Sequence, residues 1–222
     1  MVRAPDLVKD RLIVPLDRLV RLAKGVIVHR IHPSTYSPVG GVILFNDSDH
    51  GDARFSPLRD MTSAVIPTIY AGTTTECSLM ESVFHDVPLG IGPTNLDPAR
   101  LNSLVRSEIQ VIEELLLIDL TSVGLRFFGL KNTQLIDTDA ADYKLTRSWA
   151  EVLYDRNPEA QGLYWTSRQD NRAQALMLFG TRADSAKYLR LIGLPKRLRT
   201  DDGTIDLDVL RLAKKIDVDL VR

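Results

Sequence analysis

Between Ile66 and Asp86 the chain changes its period, and that change limits the folds open to it. Ile66 to Ala71 reads as a strand, despite Pro67 near its start. Gly72-Thr73 turns the chain. Beyond it Leu79, Met80, Val83 and Phe84 recur at helical spacing. Thr74 or Thr75 can cap that helix by accepting from free backbone N–H groups, and Pro88 lies just past its end. A strand running through a tight turn into an amphipathic helix needs a mixed architecture. The helix is predicted to carry Glu81 in its middle, among apolar neighbours. A carboxylate there is either a solvated surface residue or a deliberately placed charge.

The remaining segments are also mixed. Leu16, Leu19, Val20 and Ala23 predict a helix over 15–23 that stops at Gly25. Val26 to Ile31 reads as a strand ended by Pro33. Residues 33–68 are rich in turn signals, with a short strand at Val42 to Phe45; so long an irregular stretch suits a ligand-covering loop. Asp97-Pro98 opens a helix, Leu115 to Leu120 is a strand, and Thr121 to Phe128 is a short helix closed by Gly129. A helix spans Tyr143 to Tyr154. Gln161 to Ser167 and Ala173 to Phe179 form a hairpin around a polar loop. From Ile205 onward Leu207, Val209, Leu210, Leu212 and Ala213 mark an amphipathic helix, which packs on the domain or meets a partner. Strands and helices do not alternate strictly, so the class is α+β. The predicted division is a helical N-terminal extension over 1–25, a central domain over 26–182 and a helical appendage over 183–222.

Composition removes several classes of function. A chain of 222 residues that is 44% hydrophobic can bury a real core. Its net charge of −1 supports no broad basic surface, so direct nucleic-acid binding is not expected. The longest apolar run, Ala175 to Phe179, falls far short of the ~20 residues of a membrane span. Cys77 is the only cysteine, which suits a reducing cytoplasmic setting. No signal peptide is evident. There is no phosphate-binding Gly-Lys-Ser/Thr loop, no dinucleotide glycine fingerprint and no nucleophile elbow. Four scattered histidines and one cysteine offer no zinc spacing, and no metal is expected.

What remains is Arg30, Arg54, Tyr70, Glu81 and Ser167, at strand ends and on one helix. Taken singly, each suits a bland role: ion pairs for the arginines, half-buried core for Tyr70, a solvated Glu81, a turn for Ser167. Taken in order, they resemble the RES-domain family, named for an arginine, a glutamate and a serine. His29-Arg30-Ile31-His32-Pro33 is similar to its first strand, and Gly51-Asp52-Ala53-Arg54-Phe55-Ser56-Pro57 to its second arginine loop. Tyr70 and Glu81 keep the family's separation, with Ala71 one place earlier than in the pattern. Leu117 to Thr121 resembles the central strand, and Gly162-Leu163-Tyr164-Trp165-Thr166-Ser167 the serine strand, with Trp165 at the tyrosine place. Many members have Gly-Gly-Arg-Trp-Asn around the second arginine. The sequence here departs from it, and Arg59 competes with Arg54 for that role.

The resemblance implies an ADP-ribosyltransferase-like fold, with two twisted sheets around a cleft. It implies an enzyme that consumes NAD by hydrolysis or phosphorolysis, as the toxin of a toxin–antitoxin pair. NAD is then substrate rather than cofactor, phosphate is a candidate co-substrate, and the partner is a cognate antitoxin. A few members look like transferases of ADP-ribose to protein. A silent binding domain is the non-enzymatic alternative, and the C-terminal helix could serve a homodimer. The residue chemistry agrees. Breaking the nicotinamide–ribose bond develops positive charge on the sugar, which Glu81 could stabilise. Arg30 and Arg54 match phosphate oxygens. Tyr70 offers a ring to nicotinamide, and Ser167 could orient Glu81 or a ribose hydroxyl.

Overall fold

The computed structural model describes residues 12–88, 92 and 94–221. Strands β1 (Val20–Leu22), β2 (Ile27–Pro33), β3 (Leu58–Arg59), β4 (Val65–Ile66) and β5 (Thr68–Gly72) precede helix α1 (Thr75–Met80). Then come β6 (Thr94–Leu96), β7 (Leu104–Val111), β8 (Leu115–Asp119), α2 (Ser122–Phe127) and α3 (Tyr143–Arg156). The chain ends with β9 (Gly162–Thr166), β10 (Gln174–Phe179), α4 (Ser185–Tyr188), β11 (Leu189–Arg197), α5 (Leu207–Lys215) and β12 (Val218–Leu220). None of the described helices is long and apolar enough to cross a membrane.

Eight strands build one curled, mixed sheet in the order β1-β8-β9-β10-β5-β2-β7-β11. Within this sheet only β8 and β9 run parallel; β6 pairs in parallel with β12, and β3 antiparallel with β4, in two small separate sheets. The apolar run of β10 is explained by its central place, with both faces covered. Ala175, Met177 and Phe179 enter one core with Trp149, Trp165 and Phe128. Leu176 and Leu178 enter the opposite core with Val28, Ile69 and Ile109. Each fully buried leucine there contributes roughly 1.5–3 kcal/mol.

The two expected sheets are thus one sheet, but it has a seam. Strand β2 pairs with β7 from Ile27 to Pro33, while it meets β5 at His29 opposite Gly72. Two residues further along, Ile31 and Tyr70 would face each other in a continued ladder; instead both line a cleft. Helix α1 covers the point of separation. Ser78 Oγ donates to His29 O (2.7 Å) and accepts from Gly72 N (3.1 Å), satisfying backbone groups that the parting strands expose. Gly72 has to be glycine for this approach, because a Cβ there would lie 2.8 Å from Ser78 Oγ and 2.9 Å from Cys77 Sγ.

Three local expectations are corrected. The helix predicted over 15–23 is a 3-10 turn at Leu16–Arg18 followed by β1, which pairs with β8 through Val20 opposite Leu117. Pairing buries Leu22 while Leu16 stays exposed, so sheet contacts override the helical spacing. The earlier part of the expected N-terminal extension, residues 1–11, lies outside the described residues. Helix α1 is also shorter than its apolar spacing suggests. It starts at the Thr74 cap, whose hydroxyl accepts from Cys77 N, and stops at Met80 with Glu81 as C-cap. Ser82 N and Phe84 N then both bond Leu79 O, a tightened turn that still buries Val83 and Phe84. Finally, the segment expected to stand apart as an appendage supplies β11, an edge strand of the main sheet paired with β7. Its helix α5 buries Val209, Leu212 and Ala213 in a third core with Leu79 and Phe84.

Candidate active site

The cleft at the seam encloses about 430 Å³, within the usual range for small-molecule sites. Tyr70 from β5 and Trp165 from β9 form its aromatic floor. Their rings meet edge to face at 6.2 Å, and Phe55 meets Trp165 at 5.2 Å. The Tyr70 hydroxyl accepts from Phe55 N (3.2 Å), which ties the floor to the arginine loop. Burial pushes the Tyr70 hydroxyl up to about 12, so it remains a neutral phenol.

One wall carries Glu81. As C-cap of α1 it leaves the helix axis and turns into the cleft. Ser167, just past the end of β9, donates to Glu81 Oε1 at 2.6 Å. The same Ser167 Oγ accepts from Asp170 N (2.9 Å) and Gln169 N (3.2 Å). With those acceptor directions filled, its proton is aimed at the carboxylate. Gln169 adds a long contact from its backbone N to Glu81 Oε1 (3.5 Å), and its side chain donates to His85 O (3.3 Å). Asp170 is buried and gripped by Arg172, whose guanidinium holds its carboxyl below the usual range. Arg172 and Lys215 of α5 both reach Glu76 on α1. The loop after β9 therefore braces α1 at both ends.

Arg54 also lines the cleft. This residue is only 6% exposed, yet Nε and Nη2 have no hydrogen-bond partner among the described residues. Its guanidinium lies 5.9 Å from the ring of Tyr143 at the start of α3. Thr146 of the same helix bonds the Arg54 carbonyl and so fixes the backbone. A buried cation without a counter-charge is costly, and here it faces a cavity. Trp165 Nε1 is another buried donor lacking a partner among the described residues. Arg59, the competing candidate, is instead a surface residue paired with Asp49 at 3.1 Å.

Arg30 is not brought to this cleft. Side chains alternate along β2, so Ile31 lines the cleft while Arg30 turns to the opposite face with Val28 and His32. There Nη1 donates to Leu44 O at 2.6 Å. Burial lowers its pKa to about 10. His32 beside it bonds Ser107 Oγ (2.8 Å), and burial lowers the imidazole to about 4. The phosphate-binding role expected of Arg30 is therefore not met in this cleft: the residue is buried and bonded to the Leu44 backbone instead.

The cleft also holds residues that the sequence reading did not single out as functional. Tyr143 is set there by long-range packing, which no local pattern announces. Cys77 lines the cleft, but burial pushes its thiol up to about 12, so it is not a ready nucleophile. His85, read from sequence as a helix-end residue, lines the cleft beside Asp86.

The RES domain model matches residues 27–206, and the chain belongs to the RES-domain family. That family is associated in general with NAD-related toxin functions. No curated protein matches the chain.

Proposed function

We propose that the protein cleaves the nicotinamide–ribose bond of NAD, as a glycohydrolase or phosphorylase, and that it serves as the toxin of a cytoplasmic toxin–antitoxin pair. The observation that carries this reading is that a serine-held carboxylate and a buried arginine, two of whose donors have no partner among the described residues, line one cleft. In this reading the diphosphate of NAD fills the empty donor directions of Arg54. Tyr70 and Trp165 flank the nicotinamide ring. Glu81 faces the ribose, where positive charge grows as the C1′–N bond breaks and its electron pair leaves with nicotinamide. The Ser167 hydrogen bond holds Glu81 in one orientation before the charge appears, so no reorganisation is required during the reaction. The seam in the sheet supports the likeness to ADP-ribosyltransferases, since a parted pair of strands gives the expected cleft between two twisted halves.

The direct test is incubation of purified protein with NAD, with and without phosphate, while nicotinamide release is followed. Release that disappears in Glu81→Gln supports the reading; release at the wild-type rate in that variant removes Glu81 from it. Radiolabel from NAD appearing on protein, with no free ADP-ribose product, would instead indicate a protein modifier. Toxicity on expression, relieved by a neighbouring open reading frame, tests the toxin role.

A further inference from the structure

We infer that His85 is the general base for a hydroxyl acceptor, so that the cleft directs NAD cleavage toward water and not toward phosphate. This inference rests on the NAD-cleaving reading above. Its geometric basis is separate from the Glu81–Ser167 pair.

His85 lines the cleft, four residues beyond Glu81. Its Nδ1 is 2.7 Å from Asp86 Oδ1. With Nδ1–H donated to that carboxylate, Nε2 is the lone-pair nitrogen, and it has no partner among the described residues. Asp86 is itself 3.6 Å from Arg100. The backbone is held as well: Gln169 Nε2 donates to His85 O, while Gln169 N approaches Glu81 Oε1. One residue thus ties the candidate base to the carboxylate that would face the ribose. Among the four histidines, His29 is tied to Thr75 at 3.1 Å and His32 to Ser107 on the far face. His50 is exposed and borders Asp49.

Charge favours the same acceptor. The ionisable side chains lining the cleft include the carboxylates Asp52, Glu81 and Asp86, against the single guanidinium of Arg54. Arg147 at 2.5 Å and Arg100 offset Asp52 and Asp86 from outside, leaving Glu81 with neutral hydrogen-bond partners. Arg54 is already matched to the diphosphate of the substrate. A phosphate dianion would then approach the Glu81 side of the cleft against like charge, whereas water would not. The step balances. The C1′–N bond breaks and its pair departs on nicotinamide. Water oxygen bonds C1′, its proton passes to His85 Nε2, and that proton then leaves to solvent.

The test measures product partition for the wild type, His85→Asn and Asp86→Asn, with water alone and with phosphate. The expected result is free ADP-ribose as the wild-type product, including in the presence of phosphate. Hydrolysis should fall at least tenfold in His85→Asn, within the reach of general-base catalysis. Asp86→Asn should fall between the two. Unchanged thermal unfolding separates this from a folding defect. Wild-type hydrolysis in His85→Asn, or ADP-ribose-1-phosphate as the main wild-type product, overturns this inference alone. No nicotinamide release from wild type overturns the functional reading and this inference with it.

Discussion

Arg30 and Arg54 are both buried guanidiniums, 5% and 6% exposed, and in sequence both resemble the arginine places of the RES pattern. Their surroundings differ. Arg30 sits on a strand among apolar residues and donates to a backbone carbonyl. Arg54 lines the cleft from a loop against Tyr143, with Nε and Nη2 buried and without a hydrogen-bond partner among the described residues. One arginine spends a donor on the Leu44 backbone; the other keeps donors without a partner among the described residues. A residue type in the right sequence place does not decide its role. The face of the strand does, and whether its donors are already used.

The largest effect should arise on the cleft side. Glu81→Gln keeps shape and a hydrogen-bond partner for Ser167 but removes the charge. Nicotinamide release should fall by on the order of 100-fold or more, the usual loss for one preorganised electrostatic group. A fall of less than threefold would make Glu81 a bystander.

The opposite face should respond to pH through stability rather than turnover. His32 is held neutral down to about 4, while its ordinary value is 6.5. The unfolded chain takes up a proton below 6.5 that the folded chain resists. Stability is therefore complete above pH 6.5 and declines as pH falls toward 4, by about 3 kcal/mol. Chemical denaturation across that window should show the decline, and His32→Gln should flatten it. An equal slope in the variant would place the pH response elsewhere.

The two arginines can be separated by matched substitutions. Arg54→Met should weaken NAD binding by about tenfold or more, from loss of a charged hydrogen bond of roughly 1.5–3 kcal/mol. Arg30→Met should leave NAD affinity within about twofold and act on stability alone, by roughly 1–3 kcal/mol through the stranded Leu44 carbonyl. Thermal melts and NAD titrations on both variants decide it. Reversed outcomes would exchange the two roles. The smallest effect belongs to Ser167→Ala, where Glu81 keeps its charge but loses its aim. A cost of about 1 kcal/mol, or roughly fivefold in rate with little change in affinity, is expected.

Much of this comparison was legible before the fold was known. The β5–turn–α1 unit, the Thr74 cap, the hairpin of β9 and β10 and the helices α3 and α5 follow from period, capping and turn chemistry, which are local. The nearness of Glu81 and Ser167, far apart in sequence, came from the order of family segments. What failed was long-range. Val20 to Leu22 has no strand signature strong enough to outweigh the helical spacing around it; its partner β8 decides. Strand β7 alternates through Val105, Ser107, Ile109 and Val111, yet Arg106 and Glu108 between them read as an ordinary polar stretch. The side of the sheet to which Arg30 points depends on where β2 sits in the strand order. That order is set by packing of the whole sheet.

The central claim is that Arg54 receives the phosphates of NAD opposite Glu81. Calorimetric titration of NAD into Glu81→Gln, compared with the Glu81→Gln/Arg54→Met double variant, measures it without turnover. The account predicts saturable binding to the first and at least tenfold weaker binding to the second; equal affinities, or no binding to either, would contradict it.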